Sequence, residues 1–166
     1  MADFRIRPLV REDRLWVARY MEQAWGSTQM VTRGKLVYAH LLPGLVAEHP
    51  PMNPDPGPLG LLTYHLEGED CEIISLNSLE EGRGVGTGLV EALLQQAQAD
   101  QWHRLWLIAT NDNLNALRFW QRRGFVLVSV YRNAVEQARR VKPQIPVIGS
   151  YGIPIRDEIE LEYPLR

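Results

Sequence analysis

Hydrophobic and polar residues follow two repeating patterns along the chain, and each pattern predicts one kind of secondary structure. Apolar residues recur at helical spacing in residues 12–25 and most clearly in residues 85–100, which predicts two amphipathic helices because residues three or four apart share a helix face. Short runs that alternate, or that are wholly apolar, predict strands. These runs are residues 4–10, 45–48, 58–66, 70–79, 104–109, 125–131 and 158–163.

Two further helices are predicted from their ends and their composition. Asn111, Asp112 and Asn113 favour helix N-caps, and the sequence Arg-Arg-Gly at 122–124 suits a C-terminus because cations and glycine are favoured there. Residues 133–142 also have a helical composition, whereas 26–44 and 143–157 are expected to be irregular. We interpret the final strand at 158–163 as half-exposed. The order of the elements predicts an α/β domain whose sheet is antiparallel early and has helical crossovers later.

Composition and charge limit the classes of function. The chain has 166 residues, of which 45% are hydrophobic and 23% charged, so we expect one globular domain over 1–166 that needs no metal or disulfide. A net charge of -2 without a basic block argues against binding to nucleic acid or to a membrane. The single cysteine, Cys71, and the lack of a signal-like start or a long apolar stretch predict a cytoplasmic protein. The four histidines lack metal-ligand spacing.

The most informative segment is glycine-rich and runs from Glu81 to Gly88, between a predicted strand and the predicted helix at 85–100. Its sequence, EGRGVGTG, has glycine at four alternate positions, which lets the backbone approach a ligand closely. The first N–H groups of a helix have no intrahelical partner and favour anions, and Arg83 adds a cation. Neither the dinucleotide-binding nor the Walker spacing fits. The segment therefore predicts another kind of phosphate site, or a turn that only packs closely.

Two segments of the chain resemble the signatures of the GCN5-related N-acetyltransferase (GNAT) family. The sequence Glu-x-x-Gly-x-Gly at 81–86 resembles Gln/Arg-x-x-Gly-x-Gly/Ala, and residues 113–125 resemble Asn-x-x-Ala-x-x-x-Tyr-x-x-x-Gly-Phe. The resemblance covers residues 4–130 and includes the strand order. It implies a GNAT-type mixed, mostly antiparallel sheet flanked by helices, with a splayed central strand pair that receives acetyl-CoA.

The resemblance also implies where the parts of acetyl-CoA bind. The pantetheine arm would lie along 74–76, the amides of 82–87 would bind the diphosphate, and two residues of the second signature would lie near the thioester end. The implied cofactor-binding residues are Ile74, Ser75, Leu76, Gly82, Arg83, Gly84, Val85, Gly86, Thr87, Asn113 and Trp120. Two positions depart from the family pattern. Glu81 replaces Gln or Arg and follows Glu80, and we expect both carboxylates to face solvent; Trp120 stands where the family usually has tyrosine.

Acetyl transfer to an amine needs a group that removes the ammonium proton. Alternation along 70–79 puts Glu72 on one face with Asp70, Ile74 and Leu76, two residues before the implied pantetheine segment. We therefore expect Glu72 to be the general base. A solvent-facing role for Glu72, the weaker candidate Asp70, and a water chain without a dedicated base stay open.

The sequence indicates less specifically which residues would protonate the leaving thiolate and bind the acceptor. The indole of Trp120 can donate a hydrogen bond but is not a usable acid, so water or Tyr151 would protonate the sulfur. The irregular segments 26–44 and 143–157 are expected to build the acceptor pocket. The second segment belongs to an extra helix and loop at 133–157, near the acceptor site. Tyr38 and Tyr151 could line that pocket. Arg33 and Lys35 could attract an acceptor carboxylate, although a surface role is the simpler interpretation, and Arg139, Arg140 and Lys142 are expected to form a solvated helix end.

Two classes of function remain. The first is an N-acetyltransferase that moves an acetyl group from acetyl-CoA to a primary amine by direct attack in a ternary complex. The second is a non-catalytic acyl-CoA-binding sensor or regulatory module. This class stays open because Trp120 stands where the family usually has tyrosine. The acceptor could be a small amine, an amino acid or a protein amino group, and both a monomer and a homodimer are compatible with the sequence.

Overall fold

The computed structural model describes residues 3–52 and 57–165, and the chain divides into two compact units. The first unit contains Met1–Thr28 and Tyr38–Trp102, and the second contains Gln29–Val37 and His103–Arg166. In chain order the elements are β1 (Arg5–Pro8), α1 (Arg14–Trp25), β2 (Gln29–Thr32), β3 (Lys35–Tyr38), β4 (Gly44–Glu48), β5 (Pro58–Glu67), β6 (Asp70–Ser78), α2 (Val85–Ala99), β7 (Arg104–Thr110), α3 (Leu114–Arg122), β8 (Val126–Tyr131), α4 (Ala134–Val141) and β9 (Glu158–Tyr163). The predicted mixed α/β fold with mostly antiparallel strands and flanking helices is confirmed.

The first unit is built on an antiparallel sheet in the order β1-β4-β5-β6, with α2 packed on one face. Gly60 of β5 makes this packing close, because a Cβ at that position would lie 2.5 Å from Cγ1 of Val85. The apolar stripe of α2 is buried as predicted, with Leu89 and Leu93 inaccessible to solvent. A tight turn with Gly68 at φ +65° joins β5 to β6. The glycine-rich loop therefore starts from a well-anchored strand and ends in a well-anchored helix.

A β-bulge interrupts the pairing of β5 and β6. Thr63 pairs with Ser75 and Tyr64 with Ile73, so that Ile74 is an extra residue on β6. The insertion reverses the alternation of side chains. Glu72 lies opposite His65, on the face that Ser75 and Thr63 share, whereas Leu76 lies on the other face. The prediction that Glu72 shares a face with Leu76 is therefore wrong.

Asp13 joins β1 to the start of α1. Its carboxylate accepts hydrogen bonds from the Arg7 guanidinium at 2.7 and 3.0 Å, from the Val10 backbone N–H at 2.8 Å and from the Trp16 indole at 3.1 Å. The hydrogen bonds from Arg7 are the main cause that lowers the pKa of Asp13 to about 2. The helix start is thus fixed by a charged residue that is nearly inaccessible to solvent.

The second unit contains the antiparallel strands β7, β9 and β8, in that order, with β9 in the middle. Helix α3 packs through an aromatic cluster, in which the ring of Trp120 lies 5.0 Å from that of Phe119 and 4.9 Å from that of Phe125, and Phe125 lies 5.4 Å from Tyr163. The bounds of β9 match the prediction, but its half-exposed character does not. Glu158 and Glu160 are buried, and Glu160 forms an ion pair with Arg104 at 2.9 Å.

The hairpin of β2 and β3 was not expected, because residues 26–44 were interpreted as irregular. Its two central turn residues are Arg33 at φ +48° and Gly34 at φ +74°. Positive φ at both central residues matches the twist of two antiparallel strands, which is why this kind of turn closes tight hairpins. The prediction missed the hairpin because arginine, unlike asparagine or aspartate, is an uncommon first residue in such a turn.

Candidate active site

The glycine-rich loop joins β6 to α2 and holds two of its glycines in the left-handed region. Gly82 has φ +79°, and Gly84, the N-cap of α2, has φ +74°. The first bond of the helix runs from the N–H of Gly88 to the carbonyl of Gly84 at 2.9 Å. Within the described part of the chain, a Cβ at Gly82 or Gly84 would have no other atom within 4 Å. The loop thus leaves open space beside a helix N-terminus, where backbone N–H groups favour an anion.

The charges of the loop are partly paired with each other. Arg83 forms ion pairs with Glu80 and, at 3.5 Å, with Asp3, and the hydrogen bond from Arg83 is the main cause that lowers the pKa of Glu80. Glu80 and Glu81 are both exposed, so the expectation that they face solvent is confirmed. A bound diphosphate would therefore compete with Glu80 for the Arg83 guanidinium.

A groove of about 510 Å³ lies within the first unit beside the start of α2. The residues that line it include Phe4, Ile6, Arg83, Gly84, Thr87 and Gly88. Gly88 allows the Phe4 ring to approach α2 closely, because a Cβ there would lie 3.0 Å from that ring. The structure therefore brings Arg83, Gly84 and Thr87 of the predicted cofactor-binding set to one cavity.

The predicted pantetheine segment, 74–76, contains the bulge of β6. Ser75 is buried, and its hydroxyl lies 2.6 Å from the hydroxyl of Thr63. Glu72 lies on the same face and is only 7% exposed, so the solvent-facing interpretation of Glu72 is wrong. Next to it, Cys71 is fully buried, and burial together with the charge of Glu72 raises the pKa of its thiol to about 12.

Asn113 and Trp120, the two predicted residues from the second signature, lie at the two ends of α3. Asn113 is the N-cap, and its side-chain oxygen accepts a hydrogen bond from the N–H of Ala116 at 3.1 Å. Trp120 is buried in the aromatic cluster described above. Both side chains have structural roles in the second unit, and a contact with acetyl-CoA stays a prediction for each.

Sequence reasoning missed the residues that hold the segment 143–157 in place. The Asn111 side chain donates to the carbonyl of Pro154 at 2.9 Å and accepts from the N–H groups of Arg156 and Asp157 at 2.9 and 3.0 Å. Asp112, which is buried, accepts from the N–H of Ser150 at 2.9 Å. The signal was present, because Asn111 and Asp112 belong to the polar cluster from which only helix capping was inferred.

The basic residues at the end of α4 are not all exposed, as they would be at the solvated helix end that we expected. Arg139 donates to the carbonyls of Ile145, Pro146 and Ile155 at 3.3, 2.7 and 2.8 Å. Lys142 donates to the carbonyl of Gln29 at 2.9 Å, and burial lowers the pKa of its ammonium. These two side chains bind the loop and the hairpin of the second unit, so the expectation of a solvated end is wrong for them and holds for the exposed Arg140.

The residues proposed for the acceptor pocket have different surroundings. Tyr151 is exposed at φ +59°, and its hydroxyl donates to the side-chain oxygen of Asn115 at 2.8 Å. Tyr38 is exposed in the first unit, and Lys35 is exposed in the second. Arg33 is not simply a surface residue, because its guanidinium carbon lies 3.3 Å from the centre of the Tyr131 ring.

The part of the chain that the structure describes lacks two features. No helix within residues 3–52 and 57–165 is long and apolar enough to cross a membrane. Among the same residues, no group of three or more histidine, cysteine, aspartate or glutamate side chains is placed to hold a metal ion.

Comparison with known proteins adds independent information to this geometry. A model of the acetyltransferase (GNAT) family matches residues 45–125. The protein YdhI of Bacillus subtilis (strain 168) is 41% identical over 140 residues, which cover 84% of this chain and 85% of YdhI.

Solved structures with the same fold include two acetyltransferases. The IAA acetyltransferase from Bacillus cereus ATCC 14579 is 18% identical with a TM-score of 0.64, covering 96% of this chain and 98% of its own. A GNAT family acetyltransferase from Elizabethkingia anophelis with acetyl-CoA bound is 16% identical with a TM-score of 0.65. The match covers 98% of this chain and 99% of that acetyltransferase. These likenesses show the fold. The match of the family model to residues 45–125, which include both signature segments, shows that the chain belongs to the GNAT acetyltransferase family.

Proposed function

We propose that the chain is an N-acetyltransferase that transfers the acetyl group of acetyl-CoA to a primary amine by direct attack in a ternary complex. The observation that carries this proposal is the loop before α2, where Gly82 and Gly84 adopt left-handed φ beside a helix N-terminus. Phosphate groups bind at such helix ends because the N–H groups and the helix dipole attract negative charge. The acetyl-CoA bound to the Elizabethkingia anophelis acetyltransferase supports the same ligand here.

The residues of the loop fit a diphosphate. A Cβ at Gly84 would project into space that is free of the atoms described in this structure, so the glycine leaves that space to a ligand. The N–H groups of the first helical turn, including those of Val85, Gly86 and Thr87, would bind its oxygens. The nearby negative charge of Glu80 is offset by Arg83, which reduces the repulsion that two adjacent carboxylates would otherwise cause.

The bulge in β6 suits the pantetheine arm. A bulged residue is left out of the strand ladder, so the backbone groups of Ile74 are not paired with β5 in the regular way. An extended ligand with amide groups can bind such a segment as a strand would. We propose that residues 74–76 bind the pantetheine arm, and that a backbone N–H of this segment stabilises the negative charge that develops on the thioester oxygen.

The reaction requires the protein to position acetyl-CoA and the amine and to remove a proton from the acceptor. Acetyl-CoA supplies the activated acetyl group when it is bound. Glu72, which is only 7% exposed on β6, is the proposed base that takes the proton from the acceptor ammonium. The only cysteine, Cys71, is buried with its thiol pKa raised to about 12, which argues against an acetyl-cysteine intermediate and supports direct attack by the amine.

A screen of amines tests this proposal against the alternative of a non-catalytic acyl-CoA-binding module. The protein is incubated with acetyl-CoA and one amine at a time, and release of the CoA thiol is followed above the rate without amine. Steady release with any amine supports the enzyme. Tight binding of acetyl-CoA without release across small amines, amino acids and peptide amino groups would support the module.

A further inference from the structure

Glu158, the first residue of β9, has an unusual environment in the second unit. It lies in register with Thr110 of β7 and Tyr131 of β8, and it is only 4% exposed. Burial raises the pKa of its carboxyl, and the Arg33 charge and backbone N–H oppose that rise. Its Oε2 atom nevertheless has no hydrogen-bond partner among the residues that the structure describes. Such an atom is costly unless something else satisfies it.

Arg33, at the turn of the β2–β3 hairpin, lies near this carboxylate and over the Tyr131 ring. Its Nη1 is 4.0 Å from Oε2 of Glu158, which is the outer limit of an ion pair and too long for a hydrogen bond. Its guanidinium carbon is 3.3 Å from the centre of the Tyr131 ring. Carboxylates and aromatic faces both bind organic cations in proteins. Together they form a cation position that the Arg33 side chain, 37% exposed, now occupies, stacked on the ring but beyond hydrogen-bond distance of Oε2.

Glu160 shows what a purely structural glutamate on this strand looks like. It lies two residues away on the same face of β9 and is buried to a similar extent. Its carboxylate accepts from Arg104 at 2.9 Å and from the Tyr131 hydroxyl at 3.1 Å. Glu160 is thus satisfied by its neighbours, whereas Glu158 keeps an oxygen that lacks a donor.

We propose that Glu158 binds a positively charged group of the acceptor in the place that the Arg33 guanidinium now holds. An ammonium or guanidinium can approach Oε2 to hydrogen-bond distance and face the Tyr131 ring, while Arg33, being partly exposed, turns into solvent. The proposal rests on the proposed acetyltransferase function and narrows the class of its acceptor.

The reacting nitrogen is a different one from the group that Glu158 binds. Contact with a carboxylate favours the charged form of an amine, and a protonated nitrogen has no lone pair with which to attack the thioester. The site therefore selects an acceptor that has at least two basic nitrogens, of which one is held by Glu158 and the other is acetylated.

The kinetic test compares 1,5-diaminopentane with 5-amino-1-pentanol, which differ only in the second cation. We expect the wild type to use the diamine with a kcat/KM about tenfold higher or more. Glu158→Gln should raise KM for the diamine about tenfold more than for the amino alcohol. Arg33→Met, which removes the competing cation and keeps an apolar stem, should lower KM for the diamine. Glu160→Gln serves as the matched control and should not change the ratio between the two amines.

Calorimetric titration of the diamine, without acetyl-CoA, tests the site even if no acetyl transfer occurs. Arg33→Met should bind the diamine more tightly than the wild type, and Glu158→Gln should lose this binding both alone and combined with Arg33→Met. Urea unfolding confirms that each variant is folded. Equal use and equal binding of the two amines, or a loss of binding in Arg33→Met and Glu158→Gln alike, would overturn the proposal and leave the pair a structural one.

Discussion

Gly84 is the residue on which the diphosphate site depends most directly, because its left-handed φ and the open space beside it leave room for a ligand. Gly84→Val adds a branched side chain in that space and should abolish measurable binding of acetyl-CoA in a folded protein. The left-handed conformation itself should cost roughly 1–2 kcal/mol of stability. Calorimetric titration measures the affinity, and urea unfolding measures the stability.

Gly68→Val is the matched control for this strain. Gly68 has φ +65° in the β5–β6 turn, and a Cβ there would also meet no other described atom within 4 Å. The two variants should lose similar stability, while only Gly84→Val loses acetyl-CoA. Unchanged affinity in folded Gly84→Val would remove the loop from the cofactor site.

Glu72 is the proposed base, and its role has a pH signature. Glu72→Gln should lower the rate most near neutral pH, by on the order of 100- to 10,000-fold, and less at high pH, where the free amine is already abundant. The pH–rate profile of the variant on an accepted amine measures this. Asp70→Asn, an exposed carboxylate on the same strand, should leave the profile unchanged, and an unchanged profile in Glu72→Gln would exclude it as the base.

Trp120 contacts two aromatic rings in the core of the second unit. Trp120→Phe keeps an aromatic wall, so we expect activity within about tenfold of the wild type, and Trp120→Tyr should be at least as active as the wild type because a phenol can protonate the thiolate. Measuring kcat and KM for both variants tests this. A collapse of kcat in Trp120→Phe with unchanged acetyl-CoA affinity would give the indole N–H a chemical role.

At the residue scale, the sequence predicted the positions that depend on local geometry and missed those that depend on distant partners. The glycines of the loop and the Asn113 cap are local features, and both are present as expected. The burial of Glu158 and Glu160 was not predictable from alternation, because Arg104, which pairs with Glu160, is 56 positions away in the chain. The final strand was therefore interpreted as half-exposed.

At the element scale, the contacts of Asp13 stabilise the connection between β1 and α1. The stabilisation that they contribute depends on pH. The folded-state pKa is lowered to about 2, whereas an unfolded aspartate titrates near 3.9. The stabilisation is therefore fully present above pH ~4 and is lost as the pH falls through about 2. Asp13→Asn should cost about 2 kcal/mol at pH 7 and show a smaller loss of stability on acidification than the wild type.

Urea unfolding at neutral and acidic pH checks this expectation. Glu12→Gln is the control, because Glu12 is exposed in the same turn and its substitution should change stability by less than about 0.5 kcal/mol. An Asp13→Asn variant as stable as the wild type at pH 7 would show that the contacts of Asp13 do not anchor the helix.

Most elements were predictable because their periodicity extends over a whole helix or strand, as in α2 and β5. The exceptions arise from single residues that change the geometry. Ile74, an extra residue in β6, reverses the faces on which the side chains of that strand lie. Arg33 adopts a positive φ in a turn where arginine is uncommon. Neither effect leaves a trace in hydrophobic periodicity.

At the scale of the whole molecule, the two units divide the proposed tasks. The first contains the glycine-rich loop, the bulged strand and Glu72, which serve the acetyl donor and proton removal. The second contains Glu158 and the loop held by Asn111, Asp112 and Arg139. The order of the elements correctly indicated an α/β fold, but the sequence pattern contained no information on the acceptor, which in our proposal depends on pairs of residues that are distant in sequence.

The measurement that tests the central claim most directly is the balance of products in a single reaction. The protein is first incubated with acetyl-CoA alone, an accepted amine is then added, and the CoA thiol, the N-acetylated amine and the mass of the protein are quantified. We predict no acetylated protein before the amine is added, and afterwards one CoA thiol for each N-acetyl product. Binding of acetyl-CoA without either product for any amine, or a protein that becomes acetylated before the amine is present, would contradict direct acetyl transfer by this chain.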